Sequence, residues 1–381
     1  MKLFYLSGST LPSGYANAVH VMKMCQAFAK IWGADVTLFA KAGVEKTHPR
    51  ELFEIYGVSG IFKLSRTARL QNKMLSGPVR ILQTLWRVVS EKNPPDLLYG
   101  RDIWTLAGLA GGRIPLALEL HEIPRGRLQK GALCRIINAK NLRGVIVITE
   151  GLKYDLMRFA PYYPEEKILV APDGGDVPQG LVTPVPLESL AGTVVQVGYA
   201  GSLYAGKGVE LLVQMAEKMP EGGFHVFGGP QAEREKWESR ALPPNIRFYG
   251  AIPHSAVAGR LSACDILVAP YLPVIHIGTG ADIARWISPL KLFEYMALRK
   301  PIVCSDLSVL REVMVDGQNA MLVNPDNPDE WVHVLRKIQH NPLLAQHLSE
   351  GAYQDLVTCY SWERRAERIA TFLRFSYESG I

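Results

Sequence analysis

The stretch VVQVGYAGSLYAGKG, residues 194–208, decides the fold of the second half of the chain. Its first seven residues are mostly apolar and rich in valine, a pattern that predicts a buried strand. The glycines that follow predict a tight loop, and the apolar spacing of residues 209–218 predicts a helix. A strand, a glycine loop and a helix in this order are typical of the start of a Rossmann-like domain.

The first half of the chain opens with the same order of elements. Residues 2–7 predict a strand, residues 8–14 a loop, residues 16–31 a helix and residues 36–40 a second strand. Short apolar strands that alternate with helices indicate parallel sheets covered on both sides. We therefore predict an α/β protein with two Rossmann-like domains that face each other across a cleft.

The length of the chain agrees with two domains, since 381 residues exceed what one ordinary core accommodates. The stretch 176–193 is rich in proline and glycine and is the best candidate for a linker. We predict an N-terminal domain at residues 1–185 and a C-terminal domain at residues 186–360. Residues 361–381 are expected to form a helix that packs back on the N-terminal domain.

Composition excludes several classes of protein. Apolar residues make up 48% and charged residues 20%, which is ordinary for a globular protein. The first apolar run is too short for a signal peptide, and no run approaches the length of a membrane span. The five cysteines are widely spaced and form no Cys/His cluster, which favours reduced thiols in the cytoplasm and no zinc site.

Positive charge is concentrated in the first half of the chain. Residues 1–185 contain 24 Lys and Arg against 15 Asp and Glu, a net charge of +9, whereas the whole chain carries +6. Residues 78–90 predict a helix with apolar and polar faces: Val79, Leu82, Leu85, Trp86 and Val89 against Arg80, Thr84 and Arg87. Two interpretations stay open, a helix that lies on an anionic membrane and a surface helix whose apolar stripe faces the core. Nucleic acid is not an expected partner, because no nucleic-acid-binding motif accompanies the charge.

Residues 288–298 carry the strongest chemical signal in the chain. Ser288 suits the N-cap of a helix and Pro289 suits its first position, so that the amides around Leu290 are expected to meet an anion. Lys291, in the first turn, is interpreted either as a phosphate ligand or as an ordinary surface lysine. Glu294 has apolar neighbours, and a buried carboxylate without a partner is costly. We therefore predict that Glu294 accepts hydrogen bonds from both hydroxyls of a ribose.

Segments spread over most of the chain resemble the retaining glycosyltransferases of family 4, which have the GT-B architecture. The matching segments are residues 14–20, 119–122, 145–150, 172–176, 201–208 and 288–297. The resemblance implies transfer of a sugar from a nucleotide-sugar donor with retention at the anomeric carbon. It also implies that no protein nucleophile is required. The chain contains no Asp-x-Asp, the usual metal-binding signature of the other large transferase architecture, so neither a metal ion nor another cofactor is expected.

The resemblance implies roles for individual residues. Lys207, between two glycines, would bind the donor diphosphate, and His121, at the end of a predicted strand, would contact the donor sugar. The alternatives are a surface lysine in a turn and a structural histidine. Other residues that the resemblance or the loop positions place near the donor are Gly14, Ser202, Gly228, Gly229, Ile252 and Gly280.

The sequence departs from the family pattern at two places. Trp286 stands where the family often has the first of two spaced glutamates, and the arginine that often accompanies Lys207 is missing. Arg285 is a candidate for the second positive charge. A noncatalytic protein that binds a nucleotide or a partner therefore stays an alternative, whereas a nicotinamide-dependent oxidoreductase is disfavoured by the lack of a GxGxxG loop.

The expected partners follow from this interpretation. One is a nucleotide-sugar, such as a UDP- or GDP-sugar, and the other is a glycan, lipid-linked or small-molecule acceptor. Peripheral contact of the basic N-terminal domain with the inner face of the membrane is a further hypothesis.

Overall fold

The computed structural model describes residues 1–43, 47–67, 73–275 and 284–378. The chain divides into two compact units, one formed by Met1–Pro172 with Trp362–Ile381 and the other by Asp173–Ser361. The first segment of unit 1 therefore ends before the predicted boundary at residue 185. The reason is that the segment after Pro172 is bonded into unit 2, where the Gly175 amide donates to the Tyr360 carbonyl.

Unit 1 contains a seven-stranded parallel sheet in the order β3-β2-β1-β4-β5-β6-β7. Its strands are β1 Lys2–Leu11, β2 Asp35–Ala42, β3 Lys63–Thr67, β4 Leu97–Gly100, β5 Leu116–Leu120, β6 Leu142–Val147 and β7 Ile168–Val170. β1 is longer than predicted, because Thr10 and Leu11 resume pairing with β2 after a register shift. Every residue of β4 and β5 is buried, as expected for strands covered on both faces.

Helices pack along the sheet of unit 1. They are α1 Ala16–Trp32, α2 Pro49–Ile55, α3 Lys73–Val89, α4 Ile103–Leu109, α5 Arg127–Ile137, α6 Glu150–Phe159 and, at the end of the chain, α13 Trp362–Glu378. α13 packs against α1 and β6. The indole of Trp32 donates a hydrogen bond to the Ala366 carbonyl over 3.1 Å, so the last helix is part of unit 1.

Unit 2 contains a six-stranded parallel sheet in the order β10-β9-β8-β11-β12-β13. Its strands are β8 Val195–Ala200, β9 Gly222–Phe227, β10 Ile246–Gly250, β11 Ile266–Ala269, β12 Ile302–Ser305 and β13 Met321–Val323. Its helices are α7 Val209–Lys218, α8 Gln231–Glu238, α9 His254–Leu261, α10 Leu290–Met296, α11 Pro328–Gln339 and α12 Pro342–Asp355. Among the helices within the described ranges, none combines the length and apolar character that crossing a bilayer requires.

The orientation of α3 reverses one expectation from the sequence. Arg80 and Thr84 are buried, whereas Leu82, Trp86 and Val89 are exposed. The buried face also includes Val88, and on it the guanidinium of Arg80 donates to the buried carboxylate of Asp102. The interpretation in which the apolar stripe faces the core is therefore wrong for these three residues.

This orientation predicts an unusual pattern of stability. Arg80→Ala leaves the Asp102 carboxylate buried without its cation, and we expect a loss of about 3–5 kcal/mol in the free energy of unfolding of unit 1. Trp86→Ala removes an exposed side chain and should change that free energy by no more than about 0.5 kcal/mol. Chemical denaturation followed by circular dichroism measures both. A larger loss for Trp86→Ala than for Arg80→Ala would contradict the orientation.

Candidate functional site

The loop between β8 and α7, residues 201–208, lies at the carboxyl end of the sheet of unit 2, where open α/β sheets place their ligands. Gly201 has φ +154°, and a Cβ atom there would lie 2.7 Å from Nζ of Lys291. Gly228, directly after β9, has φ +108°, and its Cβ would lie 2.4 Å from the Gly201 carbonyl oxygen. Only glycine fits either position, so the backbone is packed tightly around the Lys291 ammonium.

Lys291, on α10, is a buried cation. Its Nζ lies 3.7 Å from the ring centroid of Tyr199 and 4.9 Å from that of Tyr271. In the part of the chain that the structure describes, this nitrogen has no hydrogen-bond partner. Contact with aromatic faces stabilises a cation by only about 2 kcal/mol, less than burial of an unpaired ammonium costs. The site therefore favours an anion that supplies the missing acceptors.

Lys207 adds a second cation beside the first. Its Nζ lies 5.0 Å from the Tyr271 ring, the same ring that Lys291 contacts. Burial lowers the pKa of Lys207 to about 8. Burial, and then the charge of Lys207, hold the pKa of Lys291 well below its usual range, although Glu294 opposes the shift. Two neighbouring lysines whose pKa values are both lowered suit a ligand with two negative charges, which favours their protonated forms.

Glu294 lies on α10 and is hydrogen-bonded to a histidine that the sequence did not single out. Nε2 of His254 lies 2.9 Å from Oε1 of Glu294, and each side chain is about one third exposed, at 33% and 30%. His254 opens α9 after the loop that follows β10, so its position at a strand end was the available signal. Ile252, in the same loop, packs against the apolar core of unit 2. The Glu294 carboxylate is thus held in place yet open to a ligand.

The start of α10 differs from the prediction. The helix begins at Leu290 with Pro289 as its N-cap, and no side chain caps it. The hydroxyl of Ser288 instead accepts a hydrogen bond of 2.8 Å from the amide of Asp173. The predicted N-cap role of Ser288 and helical position of Pro289 are therefore wrong, because the serine bonds the chain where it enters unit 2. What α10 contributes to the candidate site is the side chain of Lys291. Its N-terminal amides are not capped by a side chain.

The remaining predicted donor residues have different surroundings. The carbonyl of Ser202 accepts a hydrogen bond of 2.8 Å from the hydroxyl of Tyr199, which fixes the aromatic ring under Lys291. Gly229 follows Gly228 with φ +81° and packs against Leu203. Gly280 lies outside the described residues. Unit 2 thus brings together the Gly201 loop, the Gly228 turn and both lysines.

His121 and Gly14 belong to unit 1. Gly14 is exposed in the loop between β1 and α1, and His121 follows β5. Nε2 of His121 lies 2.7 Å from Oε1 of Glu119. Burial, followed by the charge of Arg101, lowers the pKa of His121 to about 4. The imidazole is therefore neutral at pH 7, and donation from Nε2 to the carboxylate leaves Nδ1 as an acceptor.

The Glu119 carboxylate organises the surroundings of His121. Its Oε1 lies 2.6 Å from Nε2 of His20 and 3.1 Å from Nη2 of Arg365, while the hydroxyl of Tyr99 donates to Oε2. Burial alone would raise the pKa of Glu119, but the charges of Arg365 and His20 and the hydrogen bonds from His121 and His20 hold it well below its usual range. Glu119 is thus an ionised, buried carboxylate that bonds side chains from several elements.

The two histidines and the carboxylate around Glu119 are also residue types that bind metal ions. One ligand atom each from His20, Glu119 and His121 lie within 4.8 Å of one another, a set that zinc accepts. However, the guanidinium of Arg365 contacts the same carboxylate oxygen that a cation would need. The arrangement therefore fits a hydrogen-bonded network better than a metal centre.

Part of the chain matches a known protein family. Residues 195–341 match the family model described as glycosyl transferases group 1, and this range includes Lys207, Lys291 and Glu294. The chain is 22% identical over 183 residues to an alpha-D-kanosaminyltransferase of Streptomyces kanamyceticus, covering 46% of this chain and 44% of the relative. It is 25% identical over 166 residues to a phosphatidyl-myo-inositol mannosyltransferase of Mycobacterium tuberculosis, covering 42% and 40%. These alignments span less than half the length of either relative.

Solved structures match the whole chain. The HepE protein of Anabaena in complex with UDP-glucose has a TM-score of 0.70 at 17% identity, covering 98% of this chain and 100% of that one. The sucrose-phosphate synthase of Thermosynechococcus elongatus has a TM-score of 0.72 at 17% identity and covers both chains fully. At such identities the likeness shows the fold, and the predicted class of two Rossmann-like domains is confirmed.

Lys291, whose Nζ has no hydrogen-bond partner among the described residues, predicts a conflict between stability and ligand binding. Lys291→Met removes a buried charge, so we expect the ligand-free protein to gain about 1–3 kcal/mol while binding of a nucleoside diphosphate is lost. Thermal denaturation with and without UDP measures both effects.

The matched control for this prediction is Lys23→Met in unit 1. Lys23 is also buried, but its Nζ donates to the Gly57 carbonyl over 2.8 Å, so this variant should lose stability and keep nucleotide binding. Destabilisation by Lys291→Met with full UDP binding would contradict the role given to Lys291.

Proposed function

We propose that this protein is a glycosyltransferase of the GT-B kind that moves a sugar from a nucleotide-sugar donor to an acceptor. The observation that carries the proposal is the buried Lys291 ammonium, which has no hydrogen-bond partner among the described residues and lies beside Lys207 and the Gly201 backbone. A diphosphate supplies the acceptors and the negative charge that this arrangement needs. The match of residues 195–341 to a glycosyltransferase family supports the same interpretation.

The two lysines would stabilise the leaving group. When the bond between the anomeric carbon and the phosphate oxygen breaks, negative charge grows on the departing nucleoside diphosphate. Lys207 and Lys291, held in a site from which water is largely excluded, meet this charge without reorganisation. The lysine pair thereby takes the place that a divalent cation has in other transferases, which is why we include metal independence in the proposal.

The proposal includes retention at the anomeric carbon. In the front-face route, the acceptor oxygen forms its bond on the face from which the phosphate oxygen departs. The acceptor proton passes to that phosphate oxygen, so the products are the glycosylated acceptor and the nucleoside diphosphate. This route needs no protein nucleophile, and the resemblance to family 4 supports it.

The nucleoside would be held one turn further along α10 than the diphosphate. We propose that both ribose hydroxyls donate to the Glu294 carboxylate, which His254 orients. We assign the base of the nucleotide to the region near Ile252 and the Gly228 turn. UDP is the first choice of nucleotide, since the similar HepE structures are complexes with UDP and UDP-glucose.

His121 of unit 1 is proposed to contact the donor sugar. Its Nδ1 is an acceptor as long as Glu119 receives the proton of Nε2, and sugar hydroxyls are donors. A glycan, a lipid-linked molecule or a small molecule is the proposed acceptor, met in the cytoplasm or at the inner face of the membrane. Gly14 and Ser202 would line the donor side, and Gly280 lies outside the described residues.

A second candidate function is binding of a nucleotide-sugar without turnover. It is favoured by Trp286, which stands where the family resemblance leads one to expect a glutamate. Release of free sugar from a bound nucleotide-sugar separates the two candidates, because a noncatalytic protein binds the donor and leaves it intact.

Nucleotide binding is the first expectation to test. Of UDP, GDP, ADP and their sugars, one nucleotide should stabilise the protein by about 2.7 kcal/mol at a ligand concentration of 100 times Kd. The stabilisation should fall sharply in Lys207→Ala, since one diphosphate partner is lost. Differential scanning fluorimetry gives the shifts.

The control is Lys236→Ala, which removes an exposed lysine of α8 and should keep the full shift. Stabilisation by no nucleotide, or an equal shift in Lys207→Ala and the wild type, would contradict the proposed donor site.

Recognition of the ribose predicts a second test. If Glu294 binds both hydroxyls, the wild type should prefer UDP over 2′-deoxy-UDP by about tenfold, the equivalent of one hydrogen bond to a charged group. Glu294→Ala should abolish the preference and His254→Ala should reduce it, because the carboxylate loses its orientation. Isothermal titration calorimetry measures the ratio of the two affinities.

His347→Ala, which removes an exposed histidine of α12, is the matched control and should keep the tenfold ratio. A wild type without preference for the ribonucleotide would rule out the role of Glu294, and an unchanged ratio in His254→Ala would rule out that of His254.

A further inference from the structure

The outward face of α3 is apolar. Leu82, Trp86 and Val89 recur at helical spacing and are 65%, 71% and 74% exposed. The opposite face holds the helix in place through the buried Arg80, which is bonded to Asp102. Because these three side chains are exposed, they gain no free energy of burial from the core of unit 1. The exposed apolar stripe points to a partner outside the chain.

Two neighbouring helices extend this face. α3 packs against α4, and α4 packs against α5, so that the three helices lie side by side on the sheet. Both α4 and α5 expose further apolar side chains. These include Trp104 near the start of α4, 39% exposed, and Leu128 near the start of α5, 80% exposed. We call the exposed parts of α3, α4 and α5 the basic apolar face.

The positive charge of the first half of the chain is confined to the segment that forms this face. Residues 63–140 contain 14 Lys and Arg against 5 Asp and Glu, whereas the rest of residues 1–185 contains ten of each kind. Two of those five acids, Asp102 and Glu119, are buried and bonded to arginines. Exposed cations of this segment include Lys92, Arg125, Arg127 and Lys130.

We propose that the basic apolar face docks on the surface of a bilayer that contains anionic lipids, with Leu82, Trp86 and Val89 at the boundary between headgroups and acyl chains. An indole ring favours this boundary, because it has an apolar body and one polar N–H group. The cations of α5 and of the loop before it meet the lipid phosphates. A nucleic acid would use the cations but not the exposed aliphatic side chains.

The proposal depends on unit 1 alone and is independent of the donor site in unit 2. Cosedimentation of the full chain with vesicles tests it. The wild type should bind vesicles of phosphatidylcholine with about 30% phosphatidylglycerol, and bind pure phosphatidylcholine vesicles at least tenfold more weakly. Added salt should weaken the binding to anionic vesicles, because it screens the attraction.

Two double variants separate the contributions of the face. Leu82→Ser/Trp86→Ser removes the apolar contact and should reduce partitioning about tenfold or more. Arg127→Gln/Lys130→Gln should reduce it about tenfold or more on anionic vesicles, since each cation contributes about fivefold. The controls are Leu343→Ser/Val194→Ser and Lys236→Gln/Lys337→Gln, which change exposed residues of unit 2 and should bind like the wild type.

The UDP-induced thermal shift is recorded for every variant, and it should be unchanged, which shows that each is folded and that the donor site is unaffected. Equal binding of the wild type to neutral and anionic vesicles would overturn the proposal, as would undiminished binding by both variants of the face. A wild-type dimer that becomes monomeric in Leu82→Ser/Trp86→Ser would show instead that a second copy covers the face.

Discussion

The burial of the Lys291 ammonium against Gly201 and the Tyr199 ring is the constraint on which the candidate site depends. Gly201 and Gly228 both have a positive φ that favours glycine, and a Cβ at Gly228 would also collide with the Gly201 carbonyl oxygen. The contact also requires that Tyr199, held by the Ser202 carbonyl, lie under the cation. A buried charge without acceptors does not stabilise a protein. A bound anion would supply the acceptors and so offset the cost of burying the charge.

The two units treat their buried charges in opposite ways. In unit 1, Glu119 has partners on several elements, namely His20 of α1, Tyr99 of β4, His121 after β5 and Arg365 of α13. That carboxylate is satisfied within the fold and ties the last helix to the sheet. In unit 2, Lys291 lacks such acceptors among the described residues. The charge of Glu119 is thus balanced within the fold, whereas the acceptors for Lys291 are proposed to come from a bound anion.

The sequence predicts features that depend on local patterns. The strand, loop and helix around residues 194–218 follow from periodicity and glycines, and Lys207 stands out by its position in that loop. Glu294 stands out by its apolar neighbours in the segment 288–298. The sequence does not predict features that depend on distant residues. Ser288 accepts a hydrogen bond from Asp173 rather than capping α10. Arg80 bonds the buried carboxylate of Asp102, so the face of α3 that carries Arg80 is buried. The rings that hold the two lysines, and His254 beside Glu294, likewise come from separate strands and loops.

Proton uptake on donor binding tests the central claim most directly, namely that Lys207 and Lys291 bind the diphosphate. The pKa of Lys207 is about 8 and that of Lys291 is also lowered in the free protein, and a bound diphosphate raises both. Both phosphates of a UDP-sugar stay ionised in this range, so the protons are taken up by the protein and not by the ligand. Calorimetry in buffers of different ionisation enthalpy should show an uptake that grows, and an affinity that falls, from about pH 7 to about pH 9. Binding without proton uptake, and with an affinity independent of pH, would contradict the account.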